Sequence, residues 1–361
     1  MKQVLIYTVL FFSFLFIGIN ILSAEDNLSG VSVLQQSSNN PIELGHVKWL
    51  RNYNDAKVRA IKEDKPLLVF FQEVPGCNTA SGYGKRVMTH PLIIEAIESL
   101  FVPVAIYNNV GGHDREILNS FNEPSWNNPV VRIITPEGRS LSPRLNGDYT
   151  RSGLVNSMVE ALKNRDLPVP SYLEILQKEF SAKNTQKDKA VFSMYCFWTG
   201  EAGLGNIEGV VSTQPGFMGG REVVQVEFDT NVISYSDLIN NARKKNISKT
   251  VFVKNDSERK TAEKILASNS VLNVGTFRLD NEPKYYTSKT VYRYLPLTQL
   301  QASLVNSAIG NRTSPDKYLS PRQLKILSIV KKNPHLDWEN TIGNNEITTT
   351  WNETLKIAIS I

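Results

Sequence analysis

Cysteine is nearly absent. The 361 residues carry 2, Cys77 and Cys196. Two thiols cannot staple a scaffold of this length, nor can they supply a four-thiolate zinc site. A mixed site of two thiolates and two imidazoles calls for cysteines a few residues apart, and these are far apart in sequence. The 4 histidines (His46, His90, His113, His335) are scattered without ligand spacing, so no metal and no other cofactor is expected. There is no basic block either. Lys+Arg 40 against Asp+Glu 35 gives a net charge of +5, and the charges are interspersed, so no nucleic-acid partner is expected. Beyond the first two dozen residues no apolar run reaches spanning length, which excludes a multi-span membrane protein. What is present is an ordinary globular balance, 41% hydrophobic and 21% charged, in a chain whose length suits two domains.

The first residues, Met1-Lys2-Gln3, precede an apolar run from Val4 to about Leu22 and then Ser23-Ala24-Glu25. A basic start, an apolar stretch and a small residue at the break match a secretory signal peptide over 1–24, with an uncleaved membrane anchor as the rival reading. Either way the remainder is expected to be exported, periplasmic or secreted. Outside the cytosol thiols oxidise, so a single structural disulfide between Cys77 and Cys196 is the plain expectation for both.

Residues 25–44 are polar and read as a linker. From Trp49 the spacing of Tyr53, Ala56, Ala60 and Ile61 predicts a helix ended by Asp64-Lys65-Pro66. Leu67-Leu68-Val69-Phe70-Phe71 is a continuous apolar run, the pattern of a strand buried on both faces. Val74-Pro75-Gly76 turns the chain into Cys77. A helix over 91–100, a strand over 101–106, Pro129 ahead of a strand over 130–134, a hairpin and a helix over about 150–163 follow.

This order over 45–168 resembles the thioredoxin fold, marked by Lys65-Pro66 before the central strand, a cysteine just past it, and Pro129 before the next long strand. The resemblance implies that Pro129 is the family's cis proline beside the active sulfur. The Cys-x-x-Cys pair is missing. Val74-Pro75-Gly76-Cys77-Asn78-Thr79 instead looks like the motif of thioredoxin-like proteins in which a single sulfur or selenium residue is followed by Thr, here Thr79. Such a site forms a mixed disulfide or resolves a partner's oxidised thiol.

Residues 169–189, opened by Pro168 and Pro170 and rich in lysine toward the end, read as a second linker. The apolar strand 190–195 then leads into Cys196-Phe197-Trp198-Thr199-Gly200-Glu201 and a helix. Gly209-Val210-Val211-Ser212-Thr213, Gly216-Phe217-Met218-Gly219-Gly220, Glu222-Val223-Val224-Gln225-Val226-Glu227-Phe228-Asp229 and Ile233-Ser234-Tyr235 come next. Taken in order these resemble peptide methionine sulfoxide reductase A, which reduces the S-epimer of methionine sulfoxide. The resemblance implies an α+β domain over 190–310, within an overall α/β fold class.

Sulfoxide reduction needs a thiolate to attack sulfur and an acid to protonate the departing oxygen. Cys196 at a helix N-terminus would meet the helix dipole and free N–H groups, a setting that favours a thiolate. By the resemblance Phe197 and Trp198 wall the pocket for the substrate's methyl group, and Glu222 is the acid. Glu201, one turn along, reads as a dipole-compensating or network residue. Attack leaves a sulfenic acid on Cys196, which a second thiol converts to a disulfide. Cys77 is the resolving candidate, and an external thiol reductant restores both. The expected partner is an oxidised protein or peptide.

The departures from that family are specific. Tyr195 replaces the glycine before the cysteine, only Arg221 separates Gly220 from Glu222 where the family has a long loop with a substrate-binding Tyr, and the Asp-x-Gly-Thr-Gln-Tyr segment is missing. Nucleophile and acid stay while two substrate loops are gone. Two other functions fit the residues: thiol–disulfide or peroxide chemistry centred on Cys77, and a redox-inert binding module. The stretch 292–309 is expected to pack on the second domain. The tail 311–361 is expected to be helical from about 320, with a loosely ordered segment over 341–350.

Overall fold

The computed structural model describes residue 34 and residues 39–127, 129–183, 186–343 and 346–360. The stretch 1–24, expected to be a signal peptide or anchor, lies outside them. No helix among the described residues is long and apolar enough to cross a membrane. The architecture is mixed α/β, with two separate sheets.

The first half runs α1 (Tyr53–Glu63), β1 (Leu67–Gln72), α2 (Asn78–Arg86), α3 (Pro91–Leu100), β2 (Val102–Tyr107), α4 (His113–Ser120), β3 (Val130–Ile134), α5 (Arg151–Lys163) and α6 (Ser171–Lys183). Helix α1 starts where the Asn52 side chain accepts the Asn54 and Asp55 N–H groups, and ends at Asp64, whose φ of 51° breaks the ladder. β1 lies between β2, parallel to it, and β3, antiparallel. All six β1 residues are buried, as the apolar run predicts. Its side chains alternate. Leu68 and Phe70 enter one core with α3 and α5, while Leu67, Val69 and Phe71 enter another with Ala56 and Ala60 of α1 and Leu118 of α4. Full burial of each large side chain stabilises by roughly 1.5–3 kcal/mol. The expected hairpin after β3 is only two isolated bridges, Ile134 to Ser140 and Val131 to Leu145. Glu123 ties that edge together, accepting from Arg132 at 2.6 Å and from Arg144 at 2.6 Å.

Both expected linkers need correction. Within 25–44, Leu34 and Leu44 are fully or almost fully buried in the first core. Within 169–189, α6 is a full helix that buries Tyr172, Leu173, Leu176 and Phe180 there.

The second half runs β4 (Lys187–Ser193), α7 (Phe197–Leu204), β5 (Val210–Met218), β6 (Arg221–Asp229), α8 (Tyr235–Lys244), β7 (Thr250–Val253), α9 (Asp256–Glu263), β8 (Val271–Asn273) and β9 (Arg278–Leu279). Strand order is β8-β7-β4-β6-β5-β9, antiparallel except for β7 with β8. Ala190 and Phe192 of β4 face a core with Leu204, Leu238 and Ala262 of the three helices, and Val191 faces the opposite side. Gly219 and Gly220, with φ of 55° and 72°, form a two-residue turn between paired Met218 and Arg221. Positive φ at both positions matches the twist of a tight hairpin.

The remaining helices are α10 (Tyr285–Ser288), α11 (Gln299–Gly310), α12 (Pro321–Lys332) and α13 (Ile347–Ile359). Residues 292–309 do not pack on the second domain alone: Leu295, Leu297 and Val305 belong to the core of the first sheet. The tail joins that core too. Within the stretch expected to be loose, α13 begins at Ile347, and Trp351 is fully buried with Leu355 and Ala358 beside it. Thr298 with Gln301, and Ser320 with Gln323, close capping boxes on α11 and α12. The two glutamine amides also exchange hydrogen bonds at 3.0 and 3.1 Å, so the two helix starts are locked together.

Candidate active site

Register in the second sheet brings Glu222 beside the helix that Cys196 caps. β4 pairs antiparallel with β6, Ser193 opposite Val223, and the next N–H, from Met194, donates to the Glu222 carbonyl at 3.3 Å. Two residues later Cys196 is the N-cap of α7, in extended backbone, its thiol half-buried and unbonded. Glu222 Oε2 accepts the Phe197 N–H at 2.8 Å, so its carboxylate sits at the helix mouth that Cys196 caps. This satisfies one of the unpaired donors at the start of a helix.

Phe197 is a core residue. It is 6% exposed, and its ring meets Phe217 edge-on at 5.3 Å. Trp198 is half-buried and lies flat against Tyr285, ring centroids 3.6 Å apart and planes 7° apart. Its indole Nε1 is buried and has no hydrogen-bond partner among the described residues. Tyr195 is 100% exposed beside Cys196.

Behind the helix Glu201 is buried in an ion pair with Lys284 at 2.7 Å, and Thr213 Oγ1 donates to the same carboxylate at 3.2 Å. Lys284 Nζ also donates to Thr213 O at 2.8 Å, and the Lys284 N–H to Glu201 Oε2 at 2.8 Å. Glu201 thus serves the framework of the site. Lys284 and Tyr285 escape a reading of the sequence because a lysine and a tyrosine in the polar run 280–290 look like solvated surface. The adjacent pair Tyr285-Tyr286 is the one signal there.

The other thiol occupies a similar place. Cys77 is the N-cap of α2, exposed and unbonded. The expected Cys77–Cys196 disulfide is therefore not formed. Glu73 Oε2 accepts the Cys77 N–H at 3.3 Å, and Glu43 Oε1 accepts the Gly76 N–H at 2.9 Å. Asn109 brackets the turn, accepting from the Val74 N–H and donating to Pro75 O. Thr79 is exposed on the first turn of α2. Pro129 is buried just ahead of β3, but its peptide bond starts at Asn128, outside the described residues. The cis bond that is described is Val74–Pro75, in the cysteine turn itself. No group of three or more His, Cys, Asp or Glu placed to hold a metal occurs among the described residues.

A cavity of about 520 Å³ lies between α6, the 205–211 loop and α11. It meets α7 at Gly205, past the opposite end of the eight-residue helix from Cys196, roughly 12 Å along the axis.

With this geometry in view, the likeness that comparison shows is to a class: curated peptide methionine sulfoxide reductases match part of the chain. The MsrA 1 protein of Nostoc sp. is 33% identical over 81 residues, covering 18% of this chain and 50% of its own length. The MsrA of Methanococcus maripaludis is 36% identical over 69 residues, covering 14% and 44%. That of Methanothermobacter thermautotrophicus is 39% identical over 69 residues, covering 14% and 41%. The chain spans about half the length of the curated relatives it matches. No family model matches. A solved structure, DsbH Oxidoreductase, aligns over 35% of this chain and 91% of its own at 17% identity, with a TM-score of 0.29.

Proposed function

We propose that the chain is an exported thiol-redox protein, a thioredoxin-like module followed by a shortened reductase module, that reduces methionine sulfoxide in oxidised proteins or peptides. The observation that carries this reading is the 2.8 Å bond from the Phe197 N–H to Glu222 Oε2, which joins a candidate acid to the helix mouth capped by a free cysteine. The partial similarity to methionine sulfoxide reductases supports the same chemistry.

The Cys196 thiolate attacks the sulfoxide sulfur while Glu222 protonates its oxygen. The transient bond between the two sulfurs and the substrate's sulfur–oxygen bond then break as the hydroxyl passes to the Cys196 sulfur, so methionine leaves as the thioether and Cys196 becomes a sulfenic acid. Cys77 then attacks the Cys196 sulfur, forming a disulfide and releasing water. An external dithiol reductant reduces that disulfide. Resolution needs the two Cα atoms within about 7 Å.

Purified protein assayed with a methionine-sulfoxide peptide and dithiothreitol tests the reading. Wild type and Cys77→Ser should turn over, since dithiothreitol replaces the resolving thiol, and Cys196→Ser should not. No turnover by wild type sinks the proposal, and turnover surviving in Cys196→Ser sinks the mechanism. Glu222→Gln should slow turnover about 10²-fold or more. A sulfenic acid that accumulates in Cys77→Ser, but passes to an internal disulfide in wild type, identifies Cys77 as the resolving thiol by mass spectrometry. The second reading, thiol–disulfide exchange at Cys77, draws on its exposure. It predicts disulfide reductase activity that Cys196→Ser keeps and Cys77→Ser loses.

A further inference from the structure

We propose that Tyr285 is the specificity-determining residue of the Cys196 site: its ring covers the face of Trp198 against which a sulfoxide's methyl group would pack, so that ligand enters by displacing it. This rests on the reductase reading above.

The first observation is the stack itself. At 3.6 Å between centroids and 7° between planes, the two rings leave no room for a methyl group between them. The second is the cost left inside it. The Trp198 Nε1 is buried without an acceptor among the described residues, whereas buried indole N–H groups ordinarily find one. A closed stack that strands a donor is a weaker solution for Trp198 than its contact area suggests. An S-methyl sulfoxide carries both an apolar group for a ring face and an oxygen able to accept a hydrogen bond.

The third is how Tyr285 is held. The residue before it, Lys284, has φ 54° and is tied through its side chain and its N–H to Glu201 on α7. The residue two beyond it, Thr287, donates its N–H to Asn306 Oδ1 on α11 at 3.1 Å. Tyr286 OH meets Thr199 Oγ1 at 3.1 Å. The backbone around Tyr285 is therefore pinned both to α7, which carries Trp198, and to α11. Motion is left to the Tyr285 side-chain torsions, which makes the ring a shutter on a fixed frame. Lys289, with Nζ 4.9 Å from the Tyr285 ring centroid, adds a cation–π contact to the closed position.

Full-length Cys196→Ser protein, which cannot turn over, is titrated with dimethyl sulfoxide and with the bulkier methyl p-tolyl sulfoxide while tryptophan fluorescence is followed. The matching Trp198→Phe protein identifies the Trp198 signal. Adding Tyr285→Ala should tighten binding of both compounds about 3- to 10-fold, the worth of a stacked aromatic pair. It should also erase the preference for the smaller one. Tyr285→Phe should behave as the parent, and thermal melting checks that each variant is folded. Unchanged or weaker binding in Tyr285→Ala overturns the shutter, as does a parent that shows no size preference. If binding follows the prediction but wild type turns over no methionine sulfoxide, the shutter stands and the reductase reading falls. If wild type turns over normally and Tyr285→Ala changes neither affinity nor size preference, the reverse holds. A protein that neither binds nor turns over any sulfoxide overturns both.

Discussion

Glu201 and Lys284 lie 83 residues apart in sequence and form a buried ion pair behind the helix that Cys196 caps, with side chains 0% and 10% exposed. Removing one partner leaves a buried charge uncompensated, so Lys284→Met should cost about 3–5 kcal/mol in urea denaturation. Combining it with Glu201→Gln should cost clearly less than the sum of the two single changes. Two other carboxylates carry opposite pH signatures. Burial pushes the Glu95 carboxyl above its ordinary value, only partly opposed by hydrogen bonds from Ser320 and the Arg322 N–H. A raised folded value means its contribution is full below the unfolded value and is lost as pH rises through the folded one. For Glu123, burial is outweighed by Arg144 and Arg132, which hold its carboxyl below the ordinary value. Its contribution is present above the unfolded value and is lost as pH falls through the folded one. Urea midpoints followed with pH should therefore show Glu95→Gln removing a loss that sets in as pH rises, and Glu123→Gln removing one that sets in as pH falls. At this scale Cys196 and Glu222 were legible because short motifs flank them. Lys284 was not, since nothing in a polar run announces a charge whose partner comes from a distant helix.

Among the elements, β1 could be read from its continuous apolar run, and α3 from the proline at its first position. α6 and α13 could not. Pro168, Pro170 and the lysines toward the end of α6 masked the spacing of Tyr172, Leu173, Leu176 and Phe180, and three consecutive threonines hid the Ile347, Trp351, Leu355 and Ala358 stripe. Both helices owe their stability to a tertiary partner rather than to propensity. Among the described residues Trp351 is the largest side chain that is fully buried. Trp351→Ala should cost about 3–5 kcal/mol in guanidinium denaturation, whereas a loosely attached tail would show almost no change.

For the whole molecule, one core joins the first sheet to residues as far along the chain as Ala358. α12 is tied to α3 twice: Glu95 accepts the Arg322 N–H at 2.8 Å, and Glu98 pairs with the Arg322 guanidinium at 2.5 Å. Native-state hydrogen exchange should thus show α12 and α13 opening with α3 and β1 as one cooperative unit. Amides of α13 exchanging orders of magnitude faster than those of β1 would contradict that. The chain folds around two separate sheets. The closing of the first core by the C-terminal segment, by contrast, depends on contacts across more than 200 residues that no local pattern carries.

The Gly219–Gly220 turn bears on the order in which the candidate site is assembled. Met218 and Arg221 pair directly across it, so β5 and β6 can zip with almost no loop to close, on the microsecond scale of an isolated hairpin. Pairing sets Glu222 opposite Phe217 from local contacts alone. β4 reaches the same strand only by closing a much longer loop that includes α7. The strand bearing Glu222 is thus the template, and Cys196 is delivered to it. A change that stiffens the turn the wrong way, such as Gly219→Val, should therefore slow folding of the second sheet more than it accelerates unfolding.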